Sequence, residues 1–329
     1  MKTSRFSVAS VLGALVLVAP AAAEAPHIGY EFAEPDMLQD APAVADRPTM
    51  AHPVQTALDV PVPPAIDYGG KLLLTNGVTT IEGTSGGGIA SWATLSGMKE
   101  RGLGVSGHGT LVLLPDFDWR SYGAAASWGN RIELSYARQN FDTGDAGAAL
   151  GLGQGYTFGQ DVFGAKLRLV GDVVYGEPLL PQISLGVQHK RSRNDAIVAA
   201  LGAAASNGTD FTLSATKLLL AHSLLVNGTL RLTKANQNGL LGFGSAASDD
   251  YSLQFEGSLA YQISRRFAVG GEFRSKPDNL GLGEDDWMDI FAAYAPTDFL
   301  TLTAAYADLG SIATFEDQRG AFLQAQLAF

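Results

Sequence analysis

The chain has 329 residues, 46% hydrophobic and 17% charged, with a formal net charge of −11 and no cysteine. An acidic chain is a poor partner for nucleic acid, whose binding rests on cations that neutralise phosphates. Without cysteine there is neither a disulfide framework nor a thiolate zinc site.

The first residues, MKTSRFSVASVLGALVLVAPAAAEA, place Lys2 and Arg5 ahead of an apolar stretch from Val8 to Val18. Ala21, Ala22 and Ala23 then supply a small-residue cleavage site, so residues 1–23 read as a secretory signal peptide. Its removal takes two cations with it, and the exported chain is more acidic still. No later run approaches 18 uninterrupted apolar residues. LLLAHSLLV is broken by His222 and Ser223, which excludes helical membrane spans.

Residues 24–68 hold eight prolines, from Pro26 to Pro64. Proline at this density removes backbone donors and prevents a regular helix or ladder. The segment is expected to be an extended periplasmic tail or a plug that threads a barrel.

From Gly69 onward apolar residues recur with period two, in segments of about ten residues separated by turn signals. In YSLQFEGSLAYQI, Tyr251, Leu253, Phe255, Leu259, Tyr261 and Ile263 share one face, while Gln254, Glu256, Ser258 and Gln262 share the other. FAVGGEFR, FLTLTAAYA and RIELSYA repeat the pattern. The connections alternate between long and short, as in outer-membrane barrels with short periplasmic turns and longer outer loops. The predicted fold is therefore all-β, a transmembrane antiparallel up-and-down β-barrel occupying 69–329. Fourteen strands are expected, at roughly 71–82, 88–98, 105–114, 119–128, 131–141, 161–173, 182–191, 209–219, 223–233, 250–263, 266–276, 286–295, 299–309 and 320–329. Twelve is the alternative, the first three being blurred by Gly and Ser.

Aromatic residues test the same idea. Trp128, Tyr261, Phe267, Tyr294 and Phe299 sit beside the short turns, and Tyr122, Tyr136, Tyr251, Phe273 and Tyr306 sit nearer the long loops. They are expected to form two interfacial girdles. The chain finishes GAFLQAQLAF, where Phe329, Leu327, Ala325 and Leu323 alternate with Ala328, Gln326 and Gln324. That ending looks like the assembly signal of outer-membrane barrels, which implies the barrel-assembly machinery as a partner.

By parity, Glu133, Lys166, Arg168, Lys190, Arg231, Glu256, Glu272, Arg274 and Asp289 point inward. An Arg or Lys facing lipid would cost roughly 2–4 kcal/mol at the midplane. Signs alternate across neighbouring strands in Arg231, Glu256, Arg274 and Asp289, which suggests a charge ladder that lines or partly closes a pore. Lumen-wall salt bridges with no part in transport are the plainer reading. Lys217 and Arg138 fall on the outward face, so each either lies at an interface or marks a bulge. Arg138 near the outer rim is placed to meet lipopolysaccharide phosphate.

Catalytic signals are poor. His27 and His52 lie in the Pro-rich segment and His222 at a bend. His189 faces lipid, but Phe211 and Leu213 occupy the next strand's outward positions, where a lipase would need a serine. No His, Asp or Glu spacing suggests a catalytic metal. GLGQG at 151–155 and GGG at 86–88 lack the strand-then-helix frame of a nucleotide site. No enzyme activity, metal or cofactor is expected. Acidic loop residues such as Asp249, Glu284 and Glu316 hint at cation bridging to lipopolysaccharide without defining a site.

Several stretches look familiar: GGKLLLTNGVTTIEG (69–83), IELSYARQNFDT (132–143), ALGLGQGYTFGQDVFGAKLRL (149–169), VNGTLRLTKANQNGLLGFG (226–244), EFRSKPDNLGL (272–282) and YADLGSIATFEDQRG (306–320). Together they resemble an uncharacterised proteobacterial family of outer-membrane β-barrels, a domain-of-unknown-function family. The resemblance implies the fold and an outer-membrane location, with lipid and lipopolysaccharide as surroundings, and supplies no catalytic residues. The expected function is a pore for passive or facilitated uptake of small solutes. The alternative is a structural or surface-interaction barrel with an occluded, salt-bridged lumen.

Overall fold

The computed structural model describes residues 71–175, 177 and 179–329. The expected signal peptide and Pro-rich segment, with His27 and His52, lie outside the described residues. Two short strands come first, β1 (Val78–Thr79) and β2 (Ser85–Gly86), and they pair only with each other. The remaining strands are β3 (Leu103–Leu113), β4 (Asp118–Trp128), β5 (Ile132–Asp142) and β6 (Thr157–Val170). They continue as β7 (Gln182–Ser192), β8 (Asn207–Leu219), β9 (Leu224–Thr233) and β10 (Ser252–Ser264). The last four are β11 (Phe267–Arg274), β12 (Trp287–Tyr294), β13 (Leu300–Asp308) and β14 (Arg319–Ala328).

β3 to β14 close into one barrel, each strand antiparallel to its neighbours in sequence. β14 closes the ring on β3, with Ala321 opposite Leu113 and Leu327 opposite Gly107. Phe329 adds a backbone pair with Val105, and its ring stacks on Phe299 at 5.9 Å between centroids. The C-terminal aromatic thus helps to complete the closure.

Alternation explains why these segments are wall. Along β10, Leu253, Leu259 and Tyr261 are more than half exposed, while Glu256 and Ser258 between them are buried. Leu134, Phe163, Leu185, Leu213, Ile290 and Leu323 extend the exposed apolar belt around the wall. A belt of this extent is untenable in water and is solvated by acyl chains in a bilayer. The protein is a transmembrane β-barrel that crosses the bilayer with strands. Trp128, Tyr261, Tyr294 and Phe299 ring the turn end, and Tyr251 and Tyr306 the loop end, all exposed. Phe267 and Phe273, half-buried, stand at the two ends of β11. Tyr122 and Tyr136 instead lie near the middle of β4 and β5, because those strands run further toward the loop end than their hydrophobic period indicates.

The wall begins at Leu103 and has twelve strands, not fourteen. Segments 71–82 and 88–98, expected as the first two wall strands, instead fold into the bore, and every residue from Val78 to Gly97 is buried. The physical reason lies in their side chains. A wall strand needs large apolar residues at alternate positions to face lipid, and TTIEGTSGGGIASWATLSG has mostly glycine, serine, threonine and alanine there. Small residues let the segment pack inside a cylinder without displacing the wall. Gly83 shows how tightly: it sits at φ +91°, and a Cβ on it would come within 2.7 Å of the Ala137 methyl.

Five connections and the end of β14 share one rim, and six connections share the other; the short 114–117 link at the loop rim and the long 171–181 link at the turn rim break the expected sorting by length. The 143–156 loop carries helix α1 (Ala146–Ala149), and the 193–206 loop carries helix α2 (Asp195–Ala200). At the loop end an apolar cluster caps the bore, including Phe117, Trp119, Phe141, Leu240, Trp287 and Phe322.

Candidate functional site: the plugged bore

Between that apolar cap and the turn end, the interior is polar and built around the 71–98 segment. A tight turn, in which Thr80 N–H reaches the Thr84 carbonyl (2.8 Å) and Gly83 N–H the Thr80 carbonyl (2.8 Å), presents Glu82 to the wall. Three cations converge on its carboxylate. Lys190 of β7 makes the closest pair; Arg231 of β9 lies at 3.0 Å and Arg274 of β11 at 2.8 Å. Two wall carboxylates complete the set. Asp210 of β8 pairs with Lys190 at 2.8 Å and Arg231 at 3.0 Å. Glu256 of β10 takes Arg231 Nε at 2.5 Å and lies 3.6 Å from Arg274. Gln188 and Ser91 accept the remaining Arg231 protons at 2.8 and 3.2 Å.

Three positive and three negative charges therefore sit together, all buried. Taking an ion out of water costs several kcal/mol, offset only when geometry and hydrogen bonding are good. Here charge is balanced, and most donors of the two guanidinium groups are used. Removing one member would leave a buried charge without its counterpart.

A second set of wall charges binds the plug's backbone. Glu133 accepts from Thr84 Oγ1 (2.6 Å), Ser85 N–H (3.2 Å), Ser96 N–H (2.6 Å) and Ser96 Oγ (2.8 Å). Lys166 donates to the carbonyls of Ser85 (2.7 Å), Trp92 (2.8 Å) and Thr94 (3.1 Å). Glu256 takes Ser91 N–H at 2.6 Å, and Glu272 takes Ile89 N–H at 2.9 Å. Buried backbone groups must be paired, and the plug has almost no ladder of its own. Among the described residues, 72–97 make backbone-to-backbone bonds only with one another, so side chains alone hold the segment to the wall.

The sequence profile of a family described as "Protein of unknown function (DUF3034)" matches residues 75–326, which takes in the plug and nearly all of the wall. The chain belongs to that family. Among curated proteins none matches the chain. Among solved structures, the KdgM porin is similar at 11% identity and a TM-score of 0.45, over 68% of this chain and 99% of that one. The NanC porin is similar at 11% identity and a TM-score of 0.43, over 68% and 98%. The outer membrane phospholipase A from Escherichia coli gives 8% identity and a TM-score of 0.36, over 71% and 94%. Likeness at this level carries no inference about what a DUF3034 barrel binds or conducts.

Of the residues assigned inward by parity, Glu133, Lys166, Lys190, Arg231, Glu256, Glu272, Arg274 and Asp289 are all buried. Arg168 sits at the turn end, where its guanidinium binds the Gly171 carbonyl (2.6 Å) and Asp172 (3.2 Å). The charge alternation runs through Arg231, Glu256 and Arg274 and then stops. Asp289 faces Glu272 across the strand pair, and Arg274 faces Trp287. Two members of the central network escaped the sequence reading. Glu82 falls in a segment expected as a wall strand, and Asp210 sits at the start of β8, where the loop blurs the period. Asp210 does continue the inward row of Thr212, Ser214 and Thr216, which is the signal that could have found it.

The two outward charges also have partners. Arg138 Nε lies 2.8 Å from Asp161 Oδ1 on β6, and the Tyr136 hydroxyl donates to the same oxygen at 2.8 Å. Lys217 donates to the carbonyls of Asp172 (3.1 Å), Tyr175 (3.5 Å) and Glu177 (3.1 Å) in the 171–181 turn, so it lies at the interface and not at a bulge. His189 Nδ1 lies 3.0 Å from Thr209 Oγ1, with no serine beside it in either neighbouring strand register.

Proposed function

We propose that the protein is an outer-membrane conduit for small solutes that is closed at rest, and that passage requires the 71–98 segment to leave the wall. The observation that carries this reading is how the bore is closed. The chain's own residues 78–97 occupy it, bound by side chains and not by strand pairing, so the plug can detach without breaking the barrel's ladders. The six-charge network favours a conduit over a purely structural barrel. An apolar filling would close a bore at lower desolvation cost, and buried ion pairs are best attested where they specify or switch an arrangement. The reading assigns no catalysis. It places lipid against the apolar belt and the assembly machinery at Leu323, Ala325, Leu327 and Phe329.

Planar-bilayer recording and liposome swelling with sugars, amino acids and aromatic acids test this. Wild-type protein is expected to be silent, with neither current nor flux above empty vesicles, and Glu82→Ala to open intermittently and pass solute. A steady open current in the wild type would overturn the closed resting state. Silence from a correctly inserted Glu82→Ala whose plug has become accessible would leave the structural barrel.

A further inference from the structure

The apolar cap holds a partly open cavity of about 130 Å³. All six connections at that rim contribute to its lining, through Phe117, Leu152, Leu201, Leu240, Leu282 and Ile312 in chain order. Loops that only cover a bore have no reason to converge on a shared space. Protein interiors ordinarily close-pack, with few voids larger than a water molecule. A dry cavity of about 150 Å³ lined by leucine, isoleucine and phenylalanine holds a benzene ring. The lining carries no charged residue.

Two further observations give the space a chemistry. Trp119 and Trp287 form one wall, edge to face with ring centroids 5.5 Å apart, and each is only 1% exposed. Among the described residues neither indole Nε1–H has an acceptor. A buried indole ordinarily finds one, so two unpaired donors at one cavity call for an oxygen that the described residues do not supply. Backbone strain collects at the same place. Gln237 (φ 42°), Ala313 (φ 49°) and Thr314 (φ 75°) all line the cavity in left-handed conformations that non-glycine residues seldom adopt. Such strain clusters at ligand sites.

We infer that this cavity is a binding site for a small, neutral, ring-sized apolar molecule bearing a hydrogen-bond acceptor, such as an aromatic ketone or ester, which the indole N–H groups of Trp119 and Trp287 recognise. Phe117, Leu240 and Ile312 supply the apolar contact, and the uncharged lining favours a neutral molecule over a carboxylate or an amine. The site lies next to the plug's network. Gln237 lines the cavity, and the adjacent Asn238 accepts from Lys190 (2.9 Å) and Arg274 (2.8 Å). Binding does not require the barrel to conduct, so the site stands apart from the function proposed above.

Full-length protein labelled with 5-fluorotryptophan, in detergent micelles, gives four fluorine resonances, for Trp92, Trp119, Trp128 and Trp287. Acetophenone and toluene serve as probes with and without an acceptor. Trp128 faces the micelle and reports partitioning into detergent; Trp92 lies in the plug. Acetophenone is expected to shift the Trp119 and Trp287 signals saturably, and to bind about fivefold tighter than toluene, the difference one hydrogen bond makes. In Trp287→Phe that preference should shrink while the Trp92 and Trp128 resonances keep their positions. Linear, unsaturable shifts led by Trp128 would show partitioning alone and overturn the site. Saturable binding with equal affinity for both probes would overturn the role of the indole donors.

Discussion

Glu82 and Arg231 are 149 positions apart in the chain, yet Oε2 of one lies 3.0 Å from Nη2 of the other inside the bore. This contact ties the N-terminal plug to the ninth strand and belongs to a network whose charges balance. Glu82→Ala leaves one buried positive charge in excess, which should cost about 3–5 kcal/mol. Glu82→Ala combined with Lys190→Met restores the balance and should be less destabilised than the single variant. Urea unfolding of lipid-refolded protein measures both. A double variant that loses the sum of the two single losses would contradict a charge-balanced network.

The loop end should carry a pH dependence of its own. Lys276 and Glu284 lie in the loop between β11 and β12, with side chains buried and Nζ 3.8 Å from Oε2. Burial pushes the Glu284 carboxyl up to about 7, against the pull of Lys276. Burial likewise brings the Lys276 ammonium down to about 8, against the pull of Glu284. A carboxyl raised in the folded state holds its proton more tightly there than in the unfolded chain. Its contribution to stability is complete below its ordinary value of 4.5 and is lost as pH rises through about 7. The lowered lysine contributes in the opposite sense, complete above its ordinary 10.5 and lost as pH falls through about 8, so it is nearly flat below that. The wild-type thermal midpoint should therefore fall between about pH 5 and 7.5, with Glu284→Gln removing most of the slope. A flat wild-type profile over that window would contradict the assignment.

On the outward face, Arg138→Leu should leave the Asp161 carboxylate with the Tyr136 hydroxyl as its one hydrogen-bond partner among the described residues. A loss of about 1–3 kcal/mol is expected, with part of it recovered when Asp161→Leu is added. Unfolding midpoints of the two single variants and the double variant close the cycle; no coupling between the positions would show that the pair stabilises nothing.

Lys217→Met keeps the aliphatic stem and removes the donors to three turn carbonyls. The 171–181 turn should then be cut several-fold faster by protease while the wall stays resistant. Equal rates for variant and wild type would show that the lysine does not hold the turn.

Much of this was legible in the sequence, and the reasons are particular. Each wall strand must show lipid one face and the bore the other, so Leu253, Leu259 and Tyr261 against Glu256 and Ser258 announce both at once. Lys190, Arg231, Glu256 and Arg274 were readable by the same parity. The plug was not, because a segment buried on all sides has no face to alternate. TTIEGTSGGGIASWATLSG mimics a weak strand through its small residues, and Glu82 disappears into it. The Trp119 and Trp287 cap was also hidden: both obey inward parity, but nothing local says that six loops will meet over them.

The central claim is that residues 78–97 fill the bore. Thr80 is fully buried, and its hydroxyl has no partner among the described residues, so cysteine is a near-isosteric replacement there. The native chain has no cysteine to interfere. Maleimide labelling of Thr80→Cys in lipid vesicles, against Ala247→Cys in the exposed stretch 246–251, measures the claim directly. The account predicts prompt labelling at 247 and none at 80 until the protein is denatured. Labelling of both at the same rate in the native barrel would mean that the bore is open and that the plug lies elsewhere.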